Sequence, residues 1–258
     1  MQTLFKNALG ELVGTFILVF IGCSSVAIAV IFENLNLLQV ASIWGAGVAL
    51  AIFATRSYSP AHLNPAVTLA MVLTKNTPFK TAPLLIFAQF IGAIIAGMLV
   101  YFVFKTDIQS YENAHQLIRG SVESQKTAMI FGEFYPNPGN TSLQSLSTLS
   151  ALFLEAIGTF VLVFVIFKVS SFKKLPKNAI PFIIGATVSV IICFVAPYTQ
   201  AGLNPARDLG PRLVASCFGW GDAAYSTASL GSISVYVIGP FIGAMVACAV
   251  HLGIKKAK

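Results

Sequence analysis

The residues best suited to handle a polar solute lie in two similar stretches, HLNPAVTLA at 62–70 and GLNPARDLG at 202–210. Each sets Leu-Asn-Pro-Ala before a short run of helical pattern. Asn is a preferred N-cap, and Pro fits the first helical position, where its missing N–H costs nothing. Asn64-Pro65-Ala66 and Asn204-Pro205-Ala206 therefore predict two helix starts. If each Asn oxygen caps its own helix, the amide NH2 is left to donate into the space ahead. Two such N-termini meeting face to face would also bring two partial positive charges together. Such a site suits the lone pairs of a neutral molecule and repels cations and hydronium. No nucleophile–base set, metal-ligand spacing or phosphate loop accompanies the motifs. The expected function is therefore not enzymatic and needs no cofactor or metal.

Composition sets the elements that hold these helix starts. The 258 residues are 56% hydrophobic and 10% charged, with a mean hydropathy of +0.81. An ordinary soluble domain is about 25% charged. Six apolar runs lie near 8–30, 37–55, 82–104, 149–169, 179–197 and 232–253. Each approaches or exceeds the ~20 residues that cross ~30 Å of hydrocarbon as a helix. The expected solvent is a lipid bilayer. The first run contains Glu11 and is followed by no small-residue cleavage site, so it reads as a span and not a cleaved signal. Cys23, Cys193, Cys217 and Cys248 sit in apolar stretches without ligand spacing and read as packing residues.

Charge placement predicts orientation. With both termini cytoplasmic, Lys6, Arg56, Lys75, Lys80, Lys168, Lys173, Lys174, Lys177, Lys255, Lys256 and Lys258 all fall on that side. Segment 105–148 mixes Lys105, Arg119 and Lys126 with Asp107, Glu112, Glu123 and Glu133, which places it outside. No basic stripe interleaves with aromatics, so nucleic acid is not an expected partner.

The chain is internally repeated. ELVGTFILVF (11–20) matches EAIGTFVLVF (155–164), HLNPA (62–66) matches GLNPA (202–206), and FIGA recurs at 90–93 and 241–244, all in the same order. Each unit holds three spans. Three is odd, so the second copy enters the membrane from the opposite face, as an inverted repeat. The runs after the two motifs, 66–74 and about 206–217, are too short to cross. Non-helical backbone at membrane depth requires burial or a water-lined cavity. Each motif is therefore expected to start a re-entrant half-helix, one from each face, meeting at the midplane. The expected fold is an all-α membrane protein with six transmembrane helices and two half-helices. Its single channel domain would comprise repeat 1 (about 1–104), an extracellular connector (about 105–148) and repeat 2 (about 149–258).

These features resemble the major intrinsic protein family, the aquaporins and aquaglyceroporins, over essentially the whole chain. The resemblance rests on the two Asn-Pro-Ala boxes, the E-x-x-G-T-F starts at Glu11 and Glu155, and Arg207 after the second box. It implies that Asn64 and Asn204 are the central donors and that Arg207 is the cation of an aromatic/arginine constriction near the outer mouth. It implies that Glu11, Glu155 and Asp208 brace the loops. Carbonyls of Pro60, Ala61, His62, Gln200, Ala201 and Gly202 would form an acceptor ladder. It further implies a homotetramer in the cell membrane, with one pore per subunit.

The resemblance also bears on the solute. Asp208 after Arg207 and Trp44 at the matching filter position are similar to the glycerol-conducting branch. The second aromatic of that branch falls at Ala201, and the small residue of span five falls at Ile192. The set Trp44, Ile192, Ala201, Arg207 more closely resembles the plant nodulin-26-like filter. The expected function is a passive channel for glycerol and water, with urea, hydrogen peroxide and a protonated short hydroxy acid such as lactic acid as further solutes. A water-selective aquaporin is the alternative, and an ion-coupled transporter a remote one. The turn-rich YPNPGNTS at 135–142 is expected to fold over the outer mouth, with Asn140 in a glycosylation sequon.

Overall fold

The computed structural model of the chain describes residues 2–225 and 229–256. Six long helices are apolar enough to span a membrane: α1 (Gln2–Phe32), α2 (Leu37–Thr55), α4 (Ala82–Ala114), α5 (Thr148–Ser171), α6 (Ile180–Thr199) and α8 (Gly239–Lys256), the last extended back to Gly231. Two short helices, α3 (Pro65–Leu73) and α7 (Pro205–Ala215), carry the motif residues at their N-termini. Large side chains such as Phe87, Phe153 and Phe194 point outward, as a hydrocarbon solvent permits.

The two halves pack alike. Helix α1 lies along α4 and α2, α5 lies along α8 and α6, and α2 meets α6 between the halves. Glycines set how close these helices come. A Cβ on Gly92 would sit 2.2 Å from the Leu12 carbonyl oxygen, and one on Gly243 would sit 2.1 Å from that of Ala156. These are the same crossing in each repeat, and both glycines come from the FIGA pair. Half-helix α3 packs against α8, and α7 packs against α4, so each half-helix is held by the last span of the opposite repeat.

Two elements depart from the sequence reading. The third span does not stop near residue 104 but continues as helix to Ala114, so the connector proper is 115–147. The final span widens into a π-type turn at Ser234–Ile238, just ahead of Pro240. Proline offers no N–H to the ladder there, and a wide turn re-registers the helix around it.

The connector packs down onto its own side of the bundle. Asn137 donates from its backbone to Tyr198 O at 3.0 Å. Its Nδ2 donates to Ala196 O at 2.7 Å, and Asn140 Nδ2 donates to Pro197 O at 2.9 Å. These carbonyls belong to the last turn of α6; that of Ala196 also accepts from Gln200 N at 3.0 Å, and those of Pro197 and Tyr198 lie past the last intrahelical donor. The turn-rich 135–142 segment thus caps α6 and borders the mouth.

Candidate functional site

The two boxes meet as the repeat requires. Asn64 Oδ1 accepts from Ala66 N at 2.8 Å, and Asn204 Oδ1 accepts from Ala206 N at 3.1 Å and Arg207 N at 3.2 Å. Each side chain caps its own half-helix. Each amide then reaches across the junction: Asn64 Nδ2 donates to Leu203 O at 2.9 Å, and Asn204 Nδ2 donates to Leu63 O at 2.7 Å. The expectation that both amides point freely into open space is therefore half met. One hydrogen of each NH2 is spent fixing the other loop, and the second stays available.

The loops before the boxes hold unusual backbone. Ala61 and Leu63 in one loop, and Gln200, Ala201 and Leu203 in the other, have φ between 51° and 64°. Left-handed non-glycine residues cost of order 1–3 kcal/mol each and persist only when their surroundings enforce them. Buried carboxyl groups supply that enforcement. Glu11 accepts from His62 N (2.9 Å), Leu63 N (2.7 Å), Ser59 Oγ (2.8 Å) and Gln89 Nε2 (2.7 Å). Glu155 accepts from Gly202 N (3.0 Å), Leu203 N (2.8 Å) and Thr199 Oγ1 (2.6 Å).

A cavity of about 640 Å³ runs from Arg56, Lys173 and Lys177 at the side of the termini to Trp44, Ile192, Ala201 and Arg207. Pro60, Ala61, His62, Asn64, Gln200, Gly202 and Asn204 line it between these ends. A second cavity of about 500 Å³ opens on the connector side. Trp44, Ile192, Gln200 and Arg207 line both and mark the constriction between them. The guanidinium carbon of Arg207 stands 4.3 Å from the centre of the Trp44 ring. The structure thus brings together, around the first cavity, all four residues that the family resemblance implied for the filter.

Two charged residues that sequence reasoning left out complete this region. Glu133, in the connector, is 1% exposed, and its Oε1 pairs with Arg207 Nη2. Its backbone N–H donates to Asp208 Oδ1 at 2.7 Å. Arg212 is fully buried and binds Asp208 at 2.6 Å, while also donating to the carbonyls of Glu133 and Ala224. Asp208 accordingly braces the connector rather than facing solute. A lone acid between aromatics, FGEFY at 131–135, was the sequence signal for Glu133. Burial pushes its carboxyl up to about 8, against the opposing pull of Arg207.

Two cavities through an apolar, inverted-repeat bundle, meeting at Trp44, Ile192, Gln200 and Arg207 with backbone and side-chain polar groups along their walls, are the architecture of a passive channel for small uncharged solutes. Residues 1–251 match the major intrinsic protein family, and the chain belongs to that family. It is 35% identical to the propanediol uptake facilitator of Citrobacter freundii, over 97% of this chain and 92% of that protein. It is 34% identical to the glycerol uptake facilitator protein of Pseudomonas aeruginosa, over 94% of this chain and 86% of that one. The fold superposes on the aquaglyceroporin of Plasmodium falciparum with a TM-score of 0.79, at 23% identity, covering 96% of this chain and 95% of the other.

Proposed function

We propose that this protein is a polyol facilitator that conducts glycerol, 1,2-propanediol and water down their gradients. The observation that carries the reading is the constriction, where Arg207 lies over the Trp44 ring beside Ile192 and Ala201. The Trp44 ring, held between Gly22 and the Arg207 guanidinium, presents an apolar edge that suits the C–H side of a polyol, and the guanidinium donates to its hydroxyls. Ala201 leaves room that a larger side chain would fill. The printed names of two relatives, a glycerol and a propanediol facilitator, support the same class.

Asn64 and Asn204 donate to the passing solute at the junction, and carbonyls of Pro60, Ala61, His62, Gln200, Ala201 and Gly202 accept from it. Glu11 and Glu155 hold those loops. The half-helix N-termini and Arg207 disfavour protons and cations. The protein sits in the cell membrane as a homotetramer, with both termini cytoplasmic and the connector outside. Urea, hydrogen peroxide and protonated lactic acid are further candidate solutes.

Stopped-flow light scattering on purified protein in liposomes tests this. Fast, non-saturating glycerol and 1,2-propanediol entry is expected, together with sucrose-driven water flux. Rapid water flux with no polyol entry would make the protein a water-selective aquaporin instead. Ala201→Phe is expected to shift the solute-size profile toward smaller molecules, and an unchanged profile would sink the filter assignment.

A further inference from the structure

The constriction contains two buried hydrogen-bonding atoms with no partner. Glu133 contacts Arg207 through Oε1, which leaves Oε2 unbonded, and Arg207 Nη1 is unbonded as well. Both residues line the connector-side cavity, and both are more than nine-tenths buried. A buried donor or acceptor without a partner carries an uncompensated desolvation penalty. A solute that satisfies both recovers that cost in transit.

The position of Glu133 is fixed from three sides. Its N–H is held by Asp208 at 2.7 Å, its carbonyl by Arg212, and the next N–H, of Phe134, by Gln200 Oε1 at 2.9 Å. The carboxyl is therefore delivered to the constriction by design of the connector and is not a stray surface acid. We propose that Glu133 is a specificity-determining residue of the channel. Its free oxygen accepts from a solute hydroxyl while Arg207 Nη1 donates to a solute oxygen, so the pair selects polyols. The inference rests on the facilitator reading above and deepens it. A hydroxyl both donates and accepts, whereas a carbonyl only accepts. The ionised carboxyl accepts strongly; when protonated it carries its hydrogen on the oxygen away from Arg207 and donates to a solute oxygen instead, a partner that a hydroxyl also supplies.

Liposome flux separates this chemistry from simple size. Removing the carboxyl in Glu133→Ala widens the constriction, and on steric grounds alone that speeds every solute, glycerol most. The donor–acceptor pair predicts the reverse. The glycerol-to-water permeability ratio should fall about tenfold in Glu133→Ala, because glycerol fills the constriction and loses its acceptor, whereas a water keeps neighbouring waters as partners. Glu133→Gln keeps one acceptor oxygen and should fall less; it carries the same test where Glu133→Ala gives no folded protein. A ratio that is unchanged or raised overturns the role of Glu133 alone. Wild-type protein closed to glycerol overturns the facilitator reading and this inference with it.

Discussion

After Asn64-Pro65-Ala66 the chain continues Val67-Thr68, and after Asn204-Pro205-Ala206 it continues Arg207-Asp208. The surroundings differ accordingly. Thr68 Oγ1 accepts from Gln89 Nε2 at 2.9 Å and lies 3.2 Å from His62 Nδ1, in a network with a single carboxyl group, Glu11. Asp208 instead meets Arg212, the Glu133 N–H and, through Glu133, Arg207. The position matching Gln89 is Pro240, which has no side-chain donor, so Glu155 lacks the amide that Glu11 receives. The braces that hold the loops were kept in both copies, whereas the groups that meet the solute and anchor the connector diverged. Of the two half-helices, α3 carries no charged residue, whereas α7 carries Arg207, which lines both cavities at the constriction.

Removing one partner from the charged entrance should have the largest effect. Leaving a buried charge unpaired costs about 3–5 kcal/mol. Asp208→Asn or Arg212→Leu is therefore expected to lower the thermal unfolding temperature in detergent steeply. The matching change at the first entrance, Thr68→Val, removes a neutral hydrogen-bond partner at about 1–3 kcal/mol. Equal shifts at both entrances would mean that the two networks do the same structural work.

A swap sharpens the functional side. Arg207→Val gives the second box the residue that follows the first. Charge-assisted hydrogen bonds contribute about 1.5–3 kcal/mol, and glycerol offers the guanidinium several oxygens where water offers one, so the glycerol-to-water permeability ratio should fall about tenfold or more. Val67 already stands at the equivalent place near the other half-helix, so Val67→Ala should leave that ratio within about twofold. Stopped-flow measurements on both variants check the contrast.

Much of this architecture was legible in the sequence, for physical reasons. Bilayer-length apolar runs, Asn-Pro helix starts and a duplicated pattern each act locally, so the six spans and both half-helices could be placed before any coordinates, whereas Trp44, Ile192, Ala201 and Arg207 were placed only by the resemblance to a known family. The roles of Glu133 and Arg212 could be placed by neither. Both depend on a connector that packs on residues 75 and 79 positions away in sequence, and no periodicity records such a contact. The end of the third span was missed because helix α4 continues past its apolar part on polar residues, with Glu112 accepting from Arg119 at 2.8 Å and from Thr127 at 2.7 Å.

The smallest expected effect concerns pH and isolates Glu133 from its surroundings. Arg207, Asp208 and Arg212 on α7 and Glu155 on α5 all face it. Burial raises its carboxyl from an ordinary value of 4.5 to about 8, so the folded protein favours the protonated form. Such a group adds stability that is fully present below pH 4.5 and is lost as pH rises through about 8. The unfolding temperature of the wild type, relative to that of Glu133→Gln, should therefore decline between these limits and level off above them. If Arg207 instead held Glu133 ionised throughout, the difference would be flat from pH 5 to 9. That outcome would make the second entrance a fixed ion pair, and only its declining counterpart would make it a titrating one. The first entrance offers the control: Gln89→Leu changes a neutral donor, so it should shift stability without altering this slope.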